Sequence, residues 1–220
     1  MEKTIKITGK GKVSVKPDII RLNMTMEESY KQYEMTLSQS SRTTEILKDL
    51  FVSLGFKKDD LKTIGFDIDT KYESYKAIDK SWKKRLVGYT YTHRMKIEFD
   101  ADNKKLGQVL YAIAHSVISP EISIEYTVSN PEQHKDELLK NAIKDSRHKA
   151  EILAYAANVE LDEIITIDYS WSEINFASEP IQSFAFAAAE KATGSAGYDI
   201  DIEVDDIDVT DTVTVVWKIK

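Results

Sequence analysis

The sequence contains no cysteine, and this absence excludes disulfide bonds, thiolate metal sites and a cysteine nucleophile. Proline is also scarce, with 4 residues in 220. Three of them stand where the pattern changes: Pro17 interrupts an alternating run, Pro120 follows a helical stripe and Pro131 opens another. Hydrophobic residues make up 42% of the chain, which excludes wholesale disorder.

An excess of positive charge is missing too. The net charge of −7 argues against nucleic acid as the main partner, because phosphate binding needs a basic surface. No stretch approaches the ~20 apolar residues of a membrane helix, so no membrane span is expected. No signal-like apolar run precedes the first strand pattern. The sequence as given therefore predicts a cytoplasmic protein, with the periplasm or cell envelope as the alternative if a native signal has been lost.

Hydrophobic periodicity predicts an α+β fold, with helices packed on one face of one or more antiparallel sheets. The predicted element order is β-β-α-β-β-α-β-α-β-β. The first two strands, separated by residues 16–18, are expected to form a hairpin. Residues 77–84 form the polar tip of a second, longer hairpin, which we expect to project as an antiparallel ribbon. The buried stripe of the first helix is predicted to consist of Met35, Ser38, Arg42, Ile46, Leu50 and Leu54, widened by Leu47 and Phe51.

No linker of domain-boundary composition interrupts the chain before residue 174, so a single domain over residues 1–220 is predicted. Two sub-layers, at about 1–100 and 101–220, are compatible with the element order. Residues 175–198 depart from both periodic patterns and are rich in alanine and serine. We interpret this segment as a flexible insertion, since loops of this length in a compact domain are commonly functional or disordered.

Small residues indicate a close approach at two separate places in the sequence. Gly9 and Gly11 lie on the apolar face of the first strand, which indicates a bulge or a close backbone approach. The third helix has a stripe of small residues that would allow it to lie near a neighbouring element. These residues are Ala142, Ser146, Ala150, Ala154 and Ala157.

The residue patterns indicate no catalytic, cofactor-binding or metal-binding motif. The four histidines are not at metal-ligand spacing, and no Gly-x-Ser-x-Gly elbow occurs. The glycines at 9 and 11 lie within a strand pattern, whereas a phosphate loop precedes a helix. One alternative stays open, a small-molecule-binding protein or hydrolase with its site near Tyr89, Tyr91 and His93, because that aromatic strand carries a titratable group.

Aromatic residues in polar or irregular segments suggest a surface for interaction with other proteins. Phe176 and its neighbours in the insertion either form such a surface or fold back onto the core. The candidate interaction surface consists of Tyr72, Tyr75, Trp82, Phe176, Phe184 and Phe186.

Four segments, in order and over nearly the whole chain, resemble the SIMPL domain family, a family of unknown function that includes bacterial periplasmic immunogenic proteins. They are Ile7-Thr8-Gly9-Lys10-Gly11 with Val13, Val15, Pro17 and Asp18; Leu54-Gly55-Phe56 with Asp60-Leu61-Lys62-Thr63; Val87-Gly88-Tyr89; and the helix Ala142–Ala154, similar to A-x-x-D-A-R-x-K-A-x-x-L-A. Ser146 replaces the usual alanine of that helix.

The resemblance implies an α+β fold, no established enzymatic activity and no catalytic residues to carry over. It also implies large ring-like or channel-like oligomers in some members, and links of bacterial members to envelope or oxidative-stress roles. We therefore expect a non-enzymatic, self-associating scaffold or interaction module, a homo-oligomer without a cofactor.

Overall fold

The computed structural model describes residues 3–169, 174–178 and 202–220, and it confirms the α+β class. Seven strands and three α-helices are formed within these residues. Their bounds are β1 Thr4–Val15, β2 Ile19–Tyr30, α1 Tyr33–Ser53, β3 Lys62–Lys76, β4 Trp82–Asp100, α2 Asn103–Ala114, β5 Glu121–Thr127, α3 Pro131–Ala156, β6 Leu161–Asp168 and β7 Ile207–Ile219. The predicted insertion at 175–198 lies mostly outside the described residues.

The strands form two antiparallel sheets, ordered β1-β7-β6 and β3-β4-β2-β5. The predicted β1–β2 hairpin is therefore wrong, because β1 pairs with β7 and β2 pairs with β4. The connection between β1 and β2 is held by other contacts. The Asp18 amide donates to the Thr127 carbonyl at 3.1 Å, and the Asp18 carboxylate accepts from the Ser129 amide and hydroxyl, each at 2.6 Å.

The chain divides into two compact units. Within the described residues, unit 1 contains residues 3–18, 127–169, 174–178 and 204–220, and unit 2 contains residues 19–126 and 202–203. Unit 1 is built from segments that are far apart in the sequence. The reason is the pairing of β1 with β7, which joins the two ends of the described chain in one sheet.

In unit 1, α3 packs on β1 at very short distance, as the small residues predicted. A Cβ atom built on Gly9 would overlap the Ala142 carbonyl oxygen and lie 2.7 Å from the Ser146 amide nitrogen. A Cβ atom on Gly11 would overlap the Leu138 carbonyl oxygen. The two glycines therefore allow the helix backbone to approach the strand, and any larger side chain would push the two elements apart.

A second row of α3 residues binds the backbone of the edge strand β1. The Lys10 amide donates to the Asp145 carboxylate at 2.6 Å. Asn141 donates to the Lys12 carbonyl at 3.2 Å, and Lys149 donates to the Thr8 carbonyl at 3.3 Å. These side chains satisfy polar groups that an edge strand would otherwise offer to another chain.

In unit 2, the buried face of α1 differs from the predicted stripe. Met35 is largely exposed, and Ser38 and Arg42 are exposed as well. The buried residues are Thr36, Ser40, Thr43, Leu47 and Phe51. The prediction followed the apolar residues, but the first half of the helix buries hydroxyl side chains, which can bond to the preceding turn: Thr43 donates to the Gln39 carbonyl at 2.9 Å.

The end of α1 is fixed by Gly55, whose φ of 89° suits glycine. The Gly55 amide donates to the Val52 carbonyl and the Phe56 amide to the Phe51 carbonyl. This pattern is a Schellman motif, and the Phe51 and Phe56 rings supply its usual apolar contact, with centroids 5.6 Å apart. Asp102 caps α2 by accepting from the Lys104 amide at 2.8 Å.

Candidate functional site

The hairpin of β3 and β4 extends beyond the rest of its sheet. The last pair between β2 and β4 joins Tyr30 to Tyr89, whereas pairing between β3 and β4 continues to Lys76 and Trp82. Every residue in 69–76 and 81–86 is exposed. The predicted antiparallel ribbon is therefore present, and it is two-stranded past Tyr89.

The ribbon closes in a tight turn of defined geometry. The Lys80 amide donates to the Ala77 carbonyl at 2.9 Å, and the Ala77 amide donates to the Ser81 carbonyl at 2.8 Å. Lys80 has a φ of 63°, in the left-handed region that usually favours glycine or asparagine. The Asp79 carboxylate accepts from the Ser81 amide at 3.0 Å. These bonds hold Ile78 at the apex.

Three predicted surface residues lie on this ribbon and are exposed. Trp82 is 73% exposed and Tyr72 is 57% exposed, and Tyr75 is the most covered of the three. The Arg85 guanidinium lies over the Tyr75 ring, 5.5 Å from its centroid, and forms a 2.8 Å ion pair with Glu73. An apolar set of this size left in water is typical of an interaction surface.

Two further apolar residues of the ribbon were missed by the sequence analysis. Leu86 pairs directly with Tyr72 across the strands, and Ile78 at the apex is fully exposed. We define the ribbon stem as Tyr72 with Leu86, and the ribbon tip as residues 75–85. The alternation of β4 gave no signal for Leu86, because its exposure depends on where β2 ends.

Of the three phenylalanines in the predicted surface, only Phe176 lies among the described residues. Phe176 is 2% exposed and packs with Val128 and Ile207, so it is a core residue of unit 1 and not part of a surface. Its carbonyl accepts a 2.6 Å hydrogen bond from the Thr127 hydroxyl, which fixes the segment on the core. Phe184 and Phe186 lie outside the described residues.

His93, the titratable group of the alternative site, is buried between two threonines. Its Nδ1 lies 3.1 Å from the Thr44 hydroxyl and its Nε2 lies 2.9 Å from the Thr63 hydroxyl. The Phe66 ring contacts the imidazole edge-on, with centroids 5.2 Å apart. Burial lowers the pKa of His93 below its ordinary value of 6.5, and the positive charge of Lys48 adds to this effect. Both ring nitrogens are therefore engaged by neutral hydroxyl groups.

The two tyrosines of that alternative lie beside His93 along the same strand face. Tyr91 is fully buried, and burial raises the pKa of its phenol. Tyr89 is half-buried and contacts the Tyr33 ring edge-on at 5.4 Å. A general base needs a basic atom within hydrogen-bond reach of the proton that it removes from the substrate. The contacts of these three residues are instead those of core side chains.

Among the described residues, no three histidine, aspartate or glutamate side chains gather as metal ligands would. No helix in the described ranges combines the length and the apolar character that a membrane crossing requires.

Two of the four segments quoted for the family resemblance, the first and the last, meet in unit 1. Asp145 and Lys149 of the α3 segment bind the backbone of β1 beside Gly9 and Gly11, and they form a 2.7 Å ion pair with each other. Ser146 accepts a 3.3 Å hydrogen bond from the buried Trp217 indole, which gives its hydroxyl a local role. These contacts join α3 to β1 near the start of the chain and to β7 near its end.

A comparison with known protein families decides the identity. The sequence model of SIMPL, a protein of unknown function (DUF541), matches residues 5–217. The chain belongs to the SIMPL family. A SIMPL relative from Edwardsiella ictaluri, the uncharacterized protein YggE, is 24% identical over 97% of this chain and 85% of its own length. The 26 kDa periplasmic immunogenic protein of Brucella abortus is 22% identical over 74% of this chain and 65% of its own length.

Proposed function

We propose that this SIMPL protein is a non-enzymatic interaction module that self-associates through the ribbon stem. The observation that carries the proposal is the exposed cross-strand pair of Tyr72 and Leu86, on the part of the hairpin beyond Tyr89 that pairs with no other described strand. Isolated two-stranded ribbons are marginally stable in water. A second copy that covers the stem would remove apolar surface from water and order the ribbon at the same time.

The neighbouring edge of β3 supports the same proposal. β3 is an edge strand of its sheet, and between Gly65 and Lys71 its pairing with β4 continues without a register shift. Phe66 on this stretch is 41% exposed. A long edge strand with an apolar face is a template for pairing with another chain, unlike β1, whose edge is bound by α3.

The geometry around His93 supports the non-enzymatic part of the proposal. Both imidazole nitrogens are bound by threonine hydroxyls, and no carboxylate is among the partners of the ring in the described structure. The small-molecule or hydrolase alternative has no observation in its favour. For the compartment, the periplasmic relative favours the cell envelope over the cytoplasm, and fractionation of cells carrying the native gene tests this choice.

The test is the mass of the full chain in solution. We expect light scattering and sedimentation to show oligomers at micromolar concentration. The double variant Tyr72→Ser, Leu86→Ser should weaken association more than tenfold, because each side chain contributes on the order of 1 kcal/mol or more when buried. The matched control is Tyr155→Ser, an exposed aromatic on α3, which should leave the mass unchanged. A wild type that stays monomeric over this range would refute self-association.

A further inference from the structure

The ribbon tip brings its apolar side chains to the end of the hairpin. Ile78 occupies the apex of the turn and Trp82 begins the returning strand. Tyr75 pairs with Lys83 and Trp82 pairs with Lys76, so the two aromatic rings lie on opposite faces of the ribbon. The tip therefore presents apolar groups on both faces and at its end.

The ribbon tip carries a local excess of positive charge in a protein whose net charge is negative. Residues 75–85 contain five basic side chains and one acidic one, a net charge of +4, whereas the whole chain carries −7. Lys83 pairs with Asp79 at 3.3 Å, and Arg85 pairs with Glu73. Lys76, Lys80 and Lys84 form no ion pair with any described residue. Lys76 pairs with Trp82 across the strands, Lys84 follows Trp82 by two residues on the same strand face, and Lys80 lies in the same turn as Ile78.

We propose that the ribbon tip docks on the surface of an anionic phospholipid bilayer. Tryptophan and tyrosine favour the boundary between headgroups and hydrocarbon, where their apolar bodies are buried and their polar tips stay wet. An aliphatic apex enters the hydrocarbon, while the lysines bind anionic headgroups. The charge of the tip is complementary to such a surface, although the charge of the whole chain is not.

The length of the ribbon separates the far end of the tip from the three-stranded part of the sheet. Lys76 at the tip lies six residue steps along β3 from Thr70, which pairs with Tyr89. At about 3.3 Å per residue this distance is about 20 Å, more than twice the screening length of about 8 Å at physiological salt. A bilayer at the tip is therefore attracted by the local positive charge.

Single-stranded nucleic acid is the competing partner, because basic and aromatic residues also bind it. Base stacking needs rings that form a continuous platform, but Tyr75 and Trp82 lie on opposite faces of the ribbon. The fully exposed Ile78 offers no stacking surface either. The tip therefore suits a bilayer better than a chain of bases.

The experiment is flotation of the full chain with vesicles. The vesicles consist of neutral phosphatidylcholine alone or with about a third of phosphatidylglycerol, at about 0.05 M and about 0.5 M salt. We expect binding to the anionic vesicles at low salt, loss at high salt, and no binding to the neutral vesicles. Addition of inorganic phosphate at constant ionic strength should not displace the protein, since the proposed partner is the bilayer surface and not a free anion.

Two variants separate the charged and apolar contributions. Lys83→Glu with Lys84→Glu should lower the vesicle partition coefficient at least about thirty-fold, because each basic residue near an anionic surface contributes substantially to the free energy of membrane binding. The control Lys140→Glu with Lys144→Glu alters the net charge equally on an exposed part of α3 and should bind nearly as wild type. Ile78→Ser, which keeps Trp82 as the fluorescent reporter, should reduce the blue shift of tryptophan emission that is expected for wild type on binding.

The outcomes are separable from those of the self-association test. Absence of wild-type binding to anionic vesicles at low salt would overturn the proposal. Equal binding of the tip variants and the α3 control would overturn it as well, as would binding of a single-stranded oligonucleotide through the tip without vesicle binding. The tip variants keep Tyr72 and Leu86, so their mass in solution should match wild type even if docking is lost.

Discussion

At the scale of single residues, unit 2 is distinguished by the hydroxyl side chains that it buries beneath α1. Thr36, Ser40 and Thr43 are buried on α1, and Thr44 bonds to His93. A buried polar group costs free energy unless it is hydrogen-bonded, and the threonines meet this requirement by donating to carbonyls one turn earlier. The buried side of α1 is therefore lined by hydroxyl groups, and His93 lies against them with its pKa lowered by burial.

This environment predicts a pH dependence of stability. Because the folded pKa of His93 lies below 6.5, the unfolded chain takes up a proton first as the pH falls. The contribution of the neutral imidazole is therefore fully present above about pH 6.5 and is lost as the pH falls toward the folded pKa. We expect the free energy of unfolding, measured with urea, to fall less on acidification in His93→Gln than in wild type. Parallel profiles for the two proteins would contradict this assignment.

At the scale of elements, the contact of α3 with β1 has two parts with different physical origins. Glycines and small residues set the distance between the two backbones. Asn141, Asp145 and Lys149 then bind the outer edge of the strand. Since residues four apart lie on one helix face, the two rows run side by side along α3. The helix thus both packs on β1 and blocks its edge.

The close approach predicts a strong and specific effect of one methyl group. Gly9→Ala should lower the free energy of unfolding by about 3 kcal/mol or more, because the Cβ atom collides with helix backbone that cannot yield locally. Gly65→Ala is the matched control. Its Cβ atom meets the flexible Arg94 side chain at 2.9 Å, so a loss within about 1 kcal/mol is expected. Chemical denaturation measures both, and equal effects would refute the distinction.

At the scale of the whole molecule, the two units differ in how local their strand pairing is. The sheet of unit 2 uses β2 to β5, which follow one another in the chain. The sheet of unit 1 places β7 between β1 and β6, so it needs both ends of the described sequence. Pairing between distant segments has a larger loop-closure cost than pairing between neighbours.

This difference predicts that the units tolerate fragmentation unequally. A fragment of residues 19–126 contains all four strands of its sheet with α1 and α2, and we expect it to fold alone. A fragment of residues 127–206 lacks β1 and β7 and should not fold, since β6 and α3 have lost their main neighbours. Dispersion of amide NMR signals and cooperative thermal melting distinguish the two results. An unfolded 19–126 fragment would contradict the prediction.

The candidate surface was only partly predictable. Aromatics in polar surroundings identified Tyr72, Tyr75 and Trp82, which are exposed on the ribbon. The same reasoning left Phe176 undecided, because a lone aromatic in an irregular segment gives no periodicity, and its burial depends on Val128 and Ile207. Ile78 was missed for a similar reason: a single apolar residue within a turn has no pattern around it.

Local patterns alone determined the strands, the three helices, the helix ends at Gly55 and Asp102, and the close contact implied by Gly9, because each depends on a few adjacent residues and on backbone sterics. The tertiary structure alone decided that β1 pairs with β7, that α1 buries hydroxyl groups, and that the ribbon extends past the end of β2. These features depend on which distant segments of the chain pair and pack together. A short stretch of sequence does not contain the residues that decide this.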